Sequence, residues 1–312
     1  MAEPTVGVLG LGHIGGSLAL ALPGSIAWSR SAETRAAAAA AGVDVVDSVA
    51  EVVTAADFVV VAAALPALEA VVDQVAEAVA DLERSPTITD VGSVKAPIAA
   101  HAAAVLPDPS AFVPGHPLAG TERSGWASAD GSLFAGTTWA LSVDEPAALD
   151  RWLAVARLLC SLGVEVVPVT NDEHDRILAR TSHLPYVLAG RFARRTDPQA
   201  LALSGGSLAA LTRVVSTVDG ARFGAELATA NHEAVAAEID RLVEDLVDTR
   251  DELRGSDPGR VAATIRPVSS VEYGPRVALA SPDRGALVDL GRRGGRILSV
   301  DGDAVTVRQP VA

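Results

Sequence analysis

Residues 6–15 read Val-Gly-Val-Leu-Gly-Leu-Gly-His-Ile-Gly, a short apolar strand that runs directly into Gly-x-Gly-x-x-Gly and from there into a helical pattern. Each glycine answers a separate steric demand of a strand–turn–helix unit that accepts a dinucleotide pyrophosphate. Gly10 lets the chain turn sharply, Gly12 removes a side chain where backbone approaches phosphate, and Gly15 lets the helix lie close to its strand. The first helical turn then offers unpaired N–H groups and a partial positive charge to the anion. Gly10, Gly12, His13, Ile14 and Gly15 are therefore the candidate contacts to a dinucleotide cofactor.

The pattern that follows alternates short apolar strands with helices. Strands are expected at 24–29, 43–46, 58–64, 87–91, 112–113, 137–143 and 164–169, with helices at 32–41, 51–56 and from 65 toward 83. Residues 58–64 are almost wholly apolar, as a strand covered on both faces at the centre of a parallel sheet requires. Alternation through residue 162 predicts an α/β fold, a doubly wound Rossmann-type domain built of right-handed βαβ units. From residue 172 the period changes to long helices, at 172–194, 201–216 and 224–254, which predicts an all-helical second domain. The expected division is 1–169 for dinucleotide binding, 170–255 for substrate binding and dimerisation, and 256–312 as a C-terminal extension. That extension carries short β-like pieces at 277–280, 295–300 and 304–307.

Hydrophobic residues make up 49% of the 312, while aromatic residues make up only 4%, so the core is built mainly from Ala, Val and Leu. The formal net charge of -14, with basic and acidic residues intermixed, leaves no broad cationic face for a nucleic acid. The single cysteine, Cys160, cannot form an internal disulfide and reads as a small buried hydrophobe. No secretory leader and no membrane-length apolar run is visible, so a cytoplasmic location is expected. His174 and His183 stand nine residues apart on predicted helix and do not share a face, and no cysteine cluster is present; no metal site is expected.

A site for NAD commonly places Asp or Glu at the end of the second strand, where the carboxylate bonds the adenine ribose hydroxyls. Here that position reads Trp28-Ser29-Arg30. A carboxylate would repel the additional phosphate of NADP, whereas Ser29 can donate a hydroxyl bond and Arg30 can pair with the phosphate. The sequence favours NADP, with NAD as the alternative; Arg35, one turn later, either reinforces the positive charge or is solvated.

Among groups suited to chemistry, His116 sits in a Gly- and Pro-rich loop after an expected sheet strand. An imidazole titrates near neutrality and can take a proton from an alcohol while hydride leaves the same carbon. Ser93, after the 87–91 strand, can bond substrate or nicotinamide, and Lys95 has the alternative reading of a helix-surface residue. Glu122 either shapes a substrate pocket or lies at a solvated turn.

With these residues in view, the chain resembles the prephenate/arogenate dehydrogenases of tyrosine biosynthesis. The likeness is carried by the glycine loop, Asp90–Lys95, the run Gly115-His116-Pro117-Leu118-Ala119-Gly120-Thr121-Glu122-Arg123-Ser124-Gly125, His174-Asp175 with Ser182-His183-Leu184-Pro185, and Gly205-Gly206-Ser207 with Thr212-Arg213. It extends over about residues 5 to 250. The resemblance implies NAD(P)-dependent oxidative decarboxylation, of prephenate to 4-hydroxyphenylpyruvate or of arogenate to tyrosine. It implies His116 as the base for the ring hydroxyl, Ser93 as the group that positions that hydroxyl, Arg213 as a carboxylate binder, and His183 and Glu122 as pocket residues. It further implies a homodimer formed through the helical domain, and the partner otherwise expected is the small-molecule substrate. Where many members carry an aromatic residue after the arginine helix, this chain reads Arg222-Phe223-Gly224, so either Phe223 substitutes or that contact is absent. Two alternatives stand beside this reading. Another two-domain hydroxyacid-type dehydrogenase would want a catalytic lysine in the helical domain, and none occurs between Thr170 and Leu253. A non-catalytic dinucleotide-binding sensor would bind cofactor without turnover.

Overall fold

In the computed structural model, which describes residues 4–119, 124–255, 259 and 271–311, the apolar runs up to Val113 become six parallel strands. These are β1 (Val6–Leu9), β2 (Ile26–Trp28), β3 (Asp44–Val45), β4 (Phe58–Val61), β5 (Thr87–Asp90) and β6 (Phe112–Val113), in the order β3-β2-β1-β4-β5-β6. That order reverses direction between β1 and β4, which is where an open parallel sheet leaves a crevice at its carboxyl edge. Val8 lies opposite Ala27 on one side and Val60 on the other. Because successive side chains alternate faces, Val6, Val8 and Val60 enter one apolar cluster while Leu9, Val59 and Val61 enter a second on the opposite face. Both faces are thus dry, as the composition of the 58–64 run requires.

The strands expected at 137–143 and 164–169 do not extend this sheet. With β7 (Gly115–Pro117), β8 (Thr138–Ser142) and β9 (Glu165–Val169) the chain begins a second, mixed sheet. Pro114, between β6 and β7, has no N–H to continue the parallel ladder, and its carbonyl already accepts from Ser142 of β8 at 2.8 Å. The second sheet is completed from the far end of the chain by β10 (Val277–Leu279), β11 (Arg296–Asp301) and β12 (Ala304–Arg308), giving the order β10-β12-β11-β9-β8-β7. Ile297 of β11 pairs antiparallel with Val166 of β9. An added helix, Arg284–Arg292, packs against β9 so closely that a Cβ on Gly291 would lie 1.7 Å from the Pro168 carbonyl oxygen. Leu287, Leu290, Ile297, Val305 and Val307 share one core cluster with Val8, Trp139 and Trp152.

The chain accordingly divides into one unit of Met1–His174 with Tyr273–Pro310 and another of Asp175–Glu272. The division falls five residues beyond the 169/170 boundary expected from the sequence, inside the helix Asn171–Leu178, and the described strands of the expected C-terminal extension belong to the first unit rather than standing apart. Cys160 is partly buried against the first unit's core, and burial pushes its thiol up to about 12, which removes it from nucleophilic chemistry near neutrality.

The second unit is helical in all its described elements. Its first long helix does not run uniformly from 172 to 194: Ala179–His183 forms a π turn in which Leu184 N–H bonds to Ala179 O. Pro185 follows directly, and a proline inside a helix has neither the N–H nor the clearance for a regular turn; the wider turn absorbs it. The helix expected over 224–254 is two helices, Val218–Ala230 and His232–Arg254, separated at Asn231. The Asn231 side-chain amide donates to Asp175 O at 2.7 Å and lies 3.1 Å from His183 Nδ1, so the break is filled by a buried polar contact. Glu238, 5% exposed, accepts from Arg180 at 3.2 Å and Arg241 at 2.5 Å, and those bonds hold its carboxyl below the usual range. Among the described residues no helix is long and apolar enough to cross a membrane.

Candidate active site

The candidate cofactor positions and Ser93 follow strands of the first sheet at its carboxyl edge: the glycine loop follows β1, Ser29 and Arg30 follow β2, and Ser93 follows β5. His116 lies just beyond that edge, in β7, the strand with which the second sheet begins.

The three glycines of the loop are not equivalent. Gly10 has φ +107°, and a Cβ there would lie 2.5 Å from Ala62 O; one on Gly15 would lie 1.9 Å from Gly10 O. These two are demanded by the chain itself. Gly12 is not: its φ is -81° and a Cβ would find nothing within 4 Å. It stands at the N-cap of the helix His13–Ala21, with no side-chain cap and no acidic residue in the first turn. The open space beside Gly12 and the uncapped N–H groups fit a bound pyrophosphate, whereas packing explains neither. Gly15→Ala is expected to destabilise the fold by several kcal/mol, because the obstacle is backbone. Gly12→Ala is expected to leave the melting temperature within about 2 °C and to weaken cofactor binding at least about tenfold, read by calorimetry. His13 Nδ1 lies 2.8 Å from Ser128 O, which fixes its ring beside the same helix start.

At the end of β2, Ser29 is buried and Arg30 is exposed, and neither carries negative charge. Arg35 donates to Ser29 O at 2.6 Å and to Arg30 O at 3.4 Å. Its guanidinium is therefore a brace for the backbone of that corner rather than a freely solvated charge.

His116 is half-buried, and its Nδ1 lies 2.9 Å from Nε2 of His174, which is 1% exposed. The rings meet edge to face with centroids 5.1 Å apart. Only one proton fits between two imidazole nitrogens at that distance, so the pair couples the tautomers of both rings. His174 is held in turn by the start of its helix. Thr170 Oγ1 accepts from Glu173 N at 3.2 Å and donates to Glu173 Oε2 at 2.9 Å, while Arg292 donates to Glu173 Oε1 at 2.7 Å. The sequence marks His174 only as part of a resemblance; its partnership spans 58 residues and has no local signal.

Ser93 is half-buried on the loop after β5. Lys95 is not on the surface: it is 1% exposed and forms an ion pair with Asp90, itself 0% exposed. In the helical unit, Arg213 is exposed at the start of the turn Arg213–Val215, and His183 is fully buried beside Asn231. Phe223 packs edge-on against Tyr186 with ring centroids 5.9 Å apart. Glu122 lies outside the described residues. Among the described residues no group of three or more His, Cys, Asp or Glu side chains could hold a metal ion.

Residues 19–168 match the family described as prephenate dehydrogenase, nucleotide-binding domain, and residues 170–266 match prephenate dehydrogenase, dimerization domain. The chain is 31% identical over 229 residues to the prephenate dehydrogenase of Bacillus subtilis, covering 69% of this chain and 61% of that protein. It therefore spans less than two thirds of that relative's length. It is 27% identical over 267 residues to the cyclohexadienyl dehydrogenase of Zymomonas mobilis, covering 81% of this chain and 89% of that one. The crystal structure of prephenate dehydrogenase from A. aeolicus, in complex with hydroxyphenyl propionate and NAD+, shares the fold at a TM-score of 0.74 and 23% identity, over 84% of this chain and 95% of that one. Matched through both of its characteristic domains, with a Rossmann-type sheet that has the cradle for a nicotinamide dinucleotide, this chain belongs to the prephenate dehydrogenase family.

Proposed function

We propose that the chain catalyses oxidative decarboxylation of a cyclohexadienol, prephenate or arogenate, with NADP preferred over NAD. The observation that supports the reading is that the Gly12 cradle and the Ser93 loop, at the carboxyl edge of the first sheet, and the His116–His174 pair, where the second sheet begins, belong to one unit, with the strand of His116 bonded through Gly115 to Asp90 and Lys95 of the Ser93 loop. When bound, the nicotinamide supplies a two-electron hydride acceptor. His116 acts as the base. With its Nδ1–H donating to His174 Nε2, its Nε2 is the ring nitrogen that carries no proton and takes that of the ring hydroxyl as the carbon beneath becomes carbonyl-like. His174, an imidazole rather than a carboxylate, orients the base without adding negative charge beside it. Ser93 holds the hydroxyl in line with His116. Loss of the ring carboxylate as carbon dioxide aromatises the product and supplies the downhill drive, so alignment is the main task left to the protein. Arg213 binds a substrate carboxylate, with a planar fork suited to a bidentate grip, and His183 and Glu122 serve in substrate recognition. A homodimer through the helical unit belongs to the same reading, supported by the match to a dimerization domain and by the exposed Leu201, Leu211, Val243 and Leu246 of that unit.

The test is steady-state kinetics with prephenate and arogenate, each with NAD and NADP, following reduced cofactor and carbon dioxide together. Turnover of at least one substrate with equal yields of both products supports the proposal; absence of turnover with all four pairs overturns it. Ser29→Asp tests the cofactor preference separately. It is expected to weaken NADP by about tenfold or more relative to NAD, since it sets a carboxylate against a phosphate, and an unchanged ratio removes Ser29 from the phosphate subsite.

A further inference from the structure

The buried pair of Asp90 and Lys95 is costly, because two charges leave water, and a pair of apolar side chains of similar volume would often fold as well. Its bonds show what it accomplishes. Asp90 Oδ2 accepts from Lys95 Nζ and from Gly92 N at 2.8 Å, and Oδ1 accepts from Gly115 N at 3.1 Å; Lys95 Nζ donates to Gly115 O at 2.7 Å. The Gly115 carbonyl belongs to the peptide that joins it to His116, and the Gly92 amide immediately precedes Ser93. One ion pair therefore grips the backbone beside both residues. A Cβ on Gly92 would lie 2.8 Å from Asp90 Oδ2, and one on Gly115 would lie 3.0 Å from Asp90 O, so glycine is what admits the close approach to Asp90 at each place. Lys95 is also the one lysine among the 25 basic residues of the sequence. A compact ammonium points tetrahedral donors at a carboxylate and a carbonyl from one nitrogen, where a larger planar guanidinium would need two nitrogens and more room.

We infer that Asp90 and Lys95 are the positioning residues of the site, locking the Ser93 loop and the His116 strand into one register. The inference rests on His116 acting as the base, as set out above. Its test is a double-mutant cycle of Lys95→Met and His116→Asn in the full chain, with Lys95→Arg alongside. Each variant is measured for kcat, substrate KM, affinity for ADP-ribose, which lacks the nicotinamide, and melting temperature. Lys95→Met is expected to lower kcat by about a hundredfold, the cost of misplacing a reacting group by about 1 Å, while ADP-ribose affinity stays within about twofold. Lys95→Arg should not restore it. Added to His116→Asn, Lys95→Met should cause a clearly smaller loss than it causes alone, because one of the two groups it positions is already removed. Should Lys95→Met fail to fold, the paired variant Asp90→Asn/Lys95→Met, which leaves no buried charge behind, carries the same cycle. Wild-type kcat in folded Lys95→Met, full rescue by Lys95→Arg, or losses that multiply with His116→Asn each overturn the proposal. Undiminished turnover in His116→Asn overturns the assignment of the base and the proposal with it, whereas loss there and none in the lysine variant overturns the proposal alone.

Discussion

His116→Asn should fold normally, bind cofactor as before and turn over about 10²- to 10⁴-fold more slowly, the range that general acid–base assistance contributes. Asparagine is the informative replacement because its amide can still bond to the His174 ring, which is 1% exposed and needs a partner. An amide cannot take the hydroxyl proton. The substitution thus separates proton acceptance from packing, where alanine would remove both and leave a buried imidazole facing a hole. Cofactor affinity should hold because the Gly12 cradle is formed by the turn after β1, independently of the His116 ring. Stopped-flow measurement of cofactor reduction reads the step directly, and a rate equal to wild type would take His116 out of the mechanism.

Arg213→Ala should raise the substrate KM by roughly tenfold to a hundredfold, since a hydrogen bond to a charged group contributes about 1.5–3 kcal/mol. The cofactor KM should stay near wild type and kcat should fall little, because carboxylate binding is gained equally in the ground and transition states. Arg213 is exposed, so truncation opens no cavity and thermal stability should hold. Parallel losses for substrate and cofactor, or a lowered melting temperature, would mean that the side chain serves the fold instead.

Much of the architecture is legible in residue order, and the gaps have physical causes. The loop from Gly10 to Gly15 is readable because close backbone approach admits only one residue type. β4 is readable because a strand covered on both faces cannot afford polar residues. The second sheet is not, since alternation announces strands without saying which ladder they join; Pro114 is the one local hint, and β9 finds β11 only across the whole helical unit. The π turn at Ala179–His183 is foreshadowed by Pro185, whereas the break at Asn231 looks like uninterrupted helix until its amide is seen against His183. Of the site, His116 and Ser93 announce themselves through their glycine-rich surroundings. His174 does not, and Lys95 misleads, because a lysine at a helix start ordinarily faces water and its acid lies at the end of the preceding strand.

The junction of β9 with β11 also bears on how the chain is made. Strand Glu165–Val169 emerges from synthesis long before Arg296–Asp301, and in the interval one of its edges offers unpaired amides and carbonyls to any neighbouring strand. The nucleotide half is thus begun before the helices and completed after them, and its vulnerability to misassembly is greatest while the helices are still being translated.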